Sequence, residues 1–393
     1  MKRRHFIAAT AASLLPLLGS KEAMAAPANS RKKPATKPVA KNTAKKPVDP
    51  VQANETRVAA AAVPEDPVAS WRTYELKTEI NILQAGSGTR LWLPLAMYKD
   101  TSWQRTLSHS WQGNFLKAGI YRDPVAEMEV FTAEWADGIT PSLAISSQIE
   151  TQDRHFDVSK KHCAPERRDV LRQNLQSTEL MPINDKTQSI AERIVGRVKD
   201  PLAQGKVIYD WVADLAINPQ NTSAFAAGGI EPAPELTNAL GRNAGYAMLF
   251  VALCRAIGLP ARPVFGLRID SSRLFNSLGQ LGELNRAFHC RAEFYAPGYD
   301  WIPVNPADLR QTVLEEKLLP DDSKLQVLKK LLFGFWEMNW VGLNTALEVT
   351  PKNGLGKPLP FLATAYVETA EGPLDTANAD RFSIRMKARR SEA

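Results

Sequence analysis

The sequence predicts an α+β protein: an N-terminal antiparallel β domain, then a domain in which one buried helix packs on an antiparallel sheet. Three observations predict it. Residues 70–160 hold strand-like runs separated by turn clusters. A helical pattern opens at Asp200-Pro201. A nearly all-apolar segment from Asn243 to Ile257 is followed by three more strand-like runs. The 393 residues, 44% of them hydrophobic, suffice for two folded units and some unstructured chain.

The first 25 residues read as an export signal. Lys2-Arg3-Arg4 precedes an apolar stretch, Ala8 to Leu18, that is too short to span a bilayer, and Ala23-Met24-Ala25 supplies a small-residue cleavage site. The pair Arg3-Arg4 followed by Phe6-Ile7 is similar to a twin-arginine translocation signal, so a periplasmic or secreted location is expected. Residues 26–67 are rich in Lys, Pro and Ala and lack apolar periodicity, the composition of a disordered linker. No later segment approaches the length of a transmembrane helix.

Charge excludes one class of partner. Residues 1–66 hold 12 Lys/Arg against 5 acids, which is the whole excess of +7, and residues 67–393 are balanced at 37 against 37. A folded body without a basic surplus does not suggest nucleic-acid binding.

Within the β domain, 68–162, Tyr74 to Ile82 alternates in period 2, and Arg90-Leu91-Trp92-Leu93 and Ala126 to Phe131 read as further strands. Gly86-Ser87-Gly88 and Asp137-Gly138 mark turns. Trp92, Trp103, Trp111 and Trp135 are expected to pack in the core or between domains. In the second domain, 163–393, Asp200 is placed to cap a helix whose first position is Pro201. The apolar residues Ala247, Leu249, Phe250, Val251, Leu253 and Cys254 nearly surround the next helix, as expected for one at the centre of a core, and Gly258 ends it. Pro263 to Ile269, Phe288 to Tyr295 and Trp301 to Val304 are the strand-like runs that follow.

The run Gly241-Arg242-Asn243-Ala244-Gly245-Tyr246-Ala247, continuing to Arg255-Ala256-Ile257-Gly258-Leu259-Pro260-Ala261-Arg262, resembles the nucleophile helix of bacterial transglutaminase-like proteins. Phe288-His289-Cys290-Arg291-Ala292-Glu293 resembles their histidine strand. Trp301-Ile302-Pro303-Val304-Asn305-Pro306 resembles the strand that carries their acid, and Leu332 to Trp340 their C-terminal extension. The resemblance implies a papain-like fold and acyl transfer by a triad. A Cys at a helix tip is stabilised as thiolate by the helix dipole, a His exchanges its proton, and a carboxylate fixes the imidazole.

Carried over residue by residue, the triad is degraded. The nucleophile falls at Asn243, the base at His289 and the acid at Asn305. A carboxamide is no nucleophile near neutral pH. Loss of a nucleophile costs about 10⁶ in kcat in a well-studied serine hydrolase, and exchanging the orienting carboxylate for an amide costs about 10⁴. Other thiols are poorly placed. Cys290 adjoins His289 and should face the opposite side of the strand, Cys254 lies about 16 Å along the helix from Asn243, and Cys163 lies beside His162 at the domain boundary, ahead of the resembling stretch. Asp308 is a weaker candidate to stand in for the acid.

The reading is a non-catalytic pseudoenzyme of the cell envelope that binds a peptide, a protein or peptidoglycan, its His289 hydrogen-bonded to Asn243 and Asn305. The alternative is an active transglutaminase- or peptidase-type amide hydrolase centred on His289. No metal-ligand spacing, phosphate loop or dinucleotide fingerprint appears, so no cofactor is expected.

Overall fold

The computed structural model describes residues 70–124, 127–218, 220, 234–279, 284 and 287–391. The export signal and the linker therefore lie outside the described residues.

Seven strands precede the first helix: β1 (Arg72–Ile82), β2 (Arg90–Pro94), β3 (Gln104–Gly113), β4 (Lys117–Asp123), β5 (Met128–Glu134), β6 (Ser142–Thr151) and β7 (Arg154–His155). Helices Arg168–Gln173, Asp185–Val195, Pro201–Ile217, Pro234–Leu240 and Ala244–Ala256 follow. Next come β8 (Ala261–Arg268), β9 (Phe288–Ala296) and β10 (Asp300–Val304), then helices Pro306–Glu316 and Ser323–Leu331. The chain ends with β11 (Phe335–Trp336), β12 (Trp340–Asn344), β13 (Leu347–Val349), β14 (Leu359–Phe361), β15 (Tyr366–Thr369), β16 (Gly372–Pro373) and β17 (Phe382–Arg390).

Two antiparallel sheets make the first layer pair, in the orders β17-β1-β6-β3 and β16-β15-β2-β5-β4. The alternation read in β1 is real: Tyr74, Leu76, Thr78, Ile80 and Ile82 are buried, and the residues between them are not. Ile80, Leu91, Leu93, Phe131, Ile145 and Val367 share one core. The turn clusters at 86–88 and 137–138 are tied together, because Asp137 accepts from Ser87 Oγ and from the Gly88 N–H, each at 2.9 Å.

The strand pairing differs from the expected boundary at 162/163. β17 pairs with β1 along Tyr74↔Arg390 to Ile82↔Phe382, and β15 pairs with β2. The last three strands, β15 to β17, thus belong to the sheets of the N-terminal strands. A strand edge left by β1 and β2 needs a partner, and local patterning does not reveal one some 300 residues away.

The second sheet system has the order β10-β9-β8-β12, all antiparallel. The helix Ala244–Ala256 packs on it and buries every residue from Ala244 to Arg255. Asn243 and Ile257, the expected ends, are its caps, so the helix body begins and ends one residue inside them. Gly258, at φ 80°, then turns the chain, and the Leu259 N–H closes onto Cys254 O at 2.9 Å. Asp200 caps its helix as expected, accepting from Ala203 N–H at 2.9 Å. Gly205 in that helix is a close approach: a Cβ there would fall 2.3 Å from the Phe294 ring of β9.

The Gln104 amide clamps both sides of the Gly342 peptide (2.8 and 2.7 Å), and Trp103 stacks on Trp340 at 5.8 Å between centroids. Trp103 therefore packs between the two sheet systems, and Trp92 and Trp135 are buried. Trp111, expected in a core, is 39% exposed because β3 is an edge strand.

Candidate functional site

β9 divides its side chains between two environments. Cys290 faces the helix Ala244–Ala256, its Sγ 3.9 Å from Met248 Sδ, and Phe294 meets Phe250 edge-on on the same side. By strand alternation His289, Arg291 and Glu293 project to the other face. The Arg291 guanidinium lies over Trp340 at 4.5 Å. Glu293 binds Arg154 at 2.5 Å and Arg262 at 2.6 Å.

His289 is 2% exposed. Its Nε2 lies 2.8 Å from Asp308 Oδ1, and Arg268 Nη2 meets the same oxygen at 2.5 Å. Arg291 Nη2 stands 3.9 Å from Oδ2. The imidazole–carboxylate contact is close but poorly directed, since the oxygen lies off the line of the ring N–H and Nε2 makes no geometrically satisfactory hydrogen bond.

Asp308 reaches this place because the chain turns into a helix directly after β10. Asn305 is the N-cap of the helix Pro306–Glu316, its Oδ1 accepting from the Asp308 N–H at 3.2 Å, and Pro306 occupies the first turn. Asp308 is therefore a first-turn helical residue, not a strand residue. The Asn305 oxygen is thus engaged in capping, and its Nδ2 is buried without a hydrogen-bond partner. The hydrogen bonds expected from His289 to Asn305 and to Asn243 are absent among the described residues. Asn243 is half-buried at the tip of its helix, in αR conformation, with no capping hydrogen bond from its side chain.

Burial sets the electrostatics first. It lowers the His289 pKa to about 4, and the nearby Arg268 and Arg291 charges push the same way, with only partial opposition from Asp308. Burial alone would raise Asp308, but Arg268, His289 and Arg291 outweigh it and hold the carboxyl well below the usual range. At neutral pH the site is thus a neutral imidazole beside an ionised carboxylate. A proton on Nε2 would face Asp308 and leave the Nδ1 lone pair free to accept one.

None of the three cysteines supplies a thiolate here. Cys254 and Cys290 are fully buried, and desolvation pushes both thiols up. Cys163 is exposed, its N–H bonded to Gly298 O.

Sequence reasoning underrated Asp308 and missed Arg268 and Arg291. The signal for Asp308 was present: Asn305-Pro306-Ala307-Asp308 is a helix start, with a cap, proline at the first position and an acid in the first turn. The arginines carry no comparable local mark. Among the described residues no group of three or more His, Cys, Asp or Glu could hold a metal, and no helix is long and apolar enough to cross a membrane.

The domain is thus of α+β type, a central helix packed on an antiparallel sheet, with His289 at the start of β9 facing Asp308 in the first turn of the helix that follows β10. Residues 188–306 match the family model of the Transglutaminase-like superfamily. An uncharacterised protein of Haemophilus influenzae Rd is 28% identical over 340 residues, 79% of this chain and 88% of that one. Similar solved structures include a proposed cysteine protease from Cytophaga hutchinsonii (16% identity, TM-score 0.48, 82% of this chain and 92% of that one). The periplasmic domain of TgpA from Pseudomonas aeruginosa is more distant (14% identity, TM-score 0.31, 64% and 92%).

Proposed function

We propose that this protein is exported to the cell envelope, where its transglutaminase-like cleft binds a peptide, a protein or a peptidoglycan stem peptide without transferring an acyl group. One observation carries the reading: a carboxamide, Asn243, stands at the tip of the central helix, the place that the resemblance assigns to a nucleophilic thiol, and both cysteines of the domain core are sealed from solvent. An uncharged amide has no electron pair basic enough to attack an acyl carbon. The N-terminal signal supports export through the twin-arginine route.

The test is binding without turnover. Purified protein is titrated with peptidoglycan stem peptides and an extended-peptide library, and the mixtures are analysed by mass for cleaved or cross-linked products. Saturable binding with intact ligand supports the reading, and release of product overturns it. Fractionation of cells with and without the twin-arginine translocase tests the location.

A second reading, an amide hydrolase using water, has one observation in its favour: His289 still faces a carboxylate. It requires turnover on an amide substrate that His289→Ala abolishes.

A further inference from the structure

We propose that Asp308 has taken over the orientation of His289 from position 305. The inference rests on the reading of Asn243 and His289 given above and refines it.

Four observations carry it. Asp308 Oδ1 stands 2.8 Å from Nε2, the distance of a charge-assisted pair. Arg268 fixes that oxygen at 2.5 Å, so the carboxylate is itself held by a second group that is 9% exposed at its side chain. Asn305, the residue aligned with the superfamily acid, spends its oxygen on the Asp308 N–H. Arg291 Nη2 stands 3.9 Å from the other oxygen, a second cation beside the same carboxylate.

The exchange is geometrically economical. Position 305 precedes the helix and position 308 lies in its first turn, so one cap both ends the strand and delivers the new carboxylate. Keeping the acid ionised needs a cation in this buried setting, and Arg268 provides it. In this arrangement an Nε2 proton faces Asp308 at 2.8 Å, and Nδ1 is left as the proton acceptor. Asp308 acts through the imidazole, and is a positioning residue.

The experiment reads the imidazole and a rebuilt thiol. Asn243→Cys is prepared alone, with Asp308→Asn, and with Asn305→Asp, and the pH dependence of alkylation at position 243 is measured. The expected result is a thiol titrating below the free-cysteine value of about 8.5 in the single variant. Asp308→Asn should raise it by about one pH unit, and Asn305→Asp should leave it nearly unchanged. A thiol that titrates normally until Asn305→Asp is added, or is indifferent to Asp308→Asn, would overturn the proposal. Should the position-243 variants not fold, ¹⁵N spectra of His289 decide the matter. Wild type should show the Nε2–H tautomer, and Asp308→Asn should change the tautomer population, whereas an unchanged spectrum refutes the role. Turnover by wild type, assayed separately, would defeat the non-catalytic reading and leave this result standing.

Discussion

One oxygen of Asp308 is shared between two partners, His289 Nε2 at 2.8 Å and Arg268 Nη2 at 2.5 Å, in a setting where all three residues are buried. Removing one member strands the others. Asp308→Ala should cost about 3–5 kcal/mol, because it leaves the Arg268 charge uncompensated away from water. The double change Asp308→Leu with Arg268→Met should be less damaging than Asp308→Ala alone. Urea denaturation midpoints of the three proteins check this.

The same pair makes the fold acid-sensitive, and the sign follows from where each group titrates. Both folded pKa values lie below the unfolded ones, so the unfolded chain binds more protons as pH falls. The His289 contribution is complete above about 6.5, its ordinary value, and is lost as pH falls through about 4. The Asp308 contribution is complete above the ordinary carboxylate range and is lost below it. Thermal melts from pH 7 to 3 should show stability falling in the upper window for wild type. That fall should be smaller in His289→Gln.

Asn305 separates capping from catalysis. Asn305→Ala should destabilise by about 1 kcal/mol through loss of the cap, whereas Asn305→Asp, an equally good cap, should be tolerated. Calorimetric melting temperatures for the two variants distinguish them.

The C-terminal strand is part of the first sheet. β17 pairs with all but the first two residues of β1, from Tyr74 to Ile82; its Phe382 shares a core with Ile80 and Ile82, and its Met386 shares another with Tyr74 and Leu76. A chain ending at Asn378 should therefore lose cooperative unfolding of the sandwich and become protease-sensitive within 72–151. A fragment 68–162 should not fold by itself. Limited proteolysis with mass mapping reads both.

Much of the fold was legible in the sequence because the signals were local. The period of β1, the Asp200-Pro201 cap and the apolar surround of Ala244–Ala256 each depend on neighbours within a few residues. The pairing of β17 with β1 and the edge position that exposes Trp111 depend on contacts distant along the chain, and no local pattern marks them. The site divided the same way. Cys290 facing away from His289 followed from strand alternation. The Asp308 contact does not follow from alternation, because the helix that starts at Asn305-Pro306 takes position 308 out of the strand. The arginines around Asp308 come from two strands, and only the folded sheet brings them together.

The most direct test of the central claim is intact mass after exposure to an activated acyl donor, such as a glutamine-analogue ester, followed by acid quench. Wild type should show no covalent acyl adduct, and Asn243→Cys should show one, mapped to position 243. An adduct on the wild-type protein, at any residue of the cleft, would contradict the account.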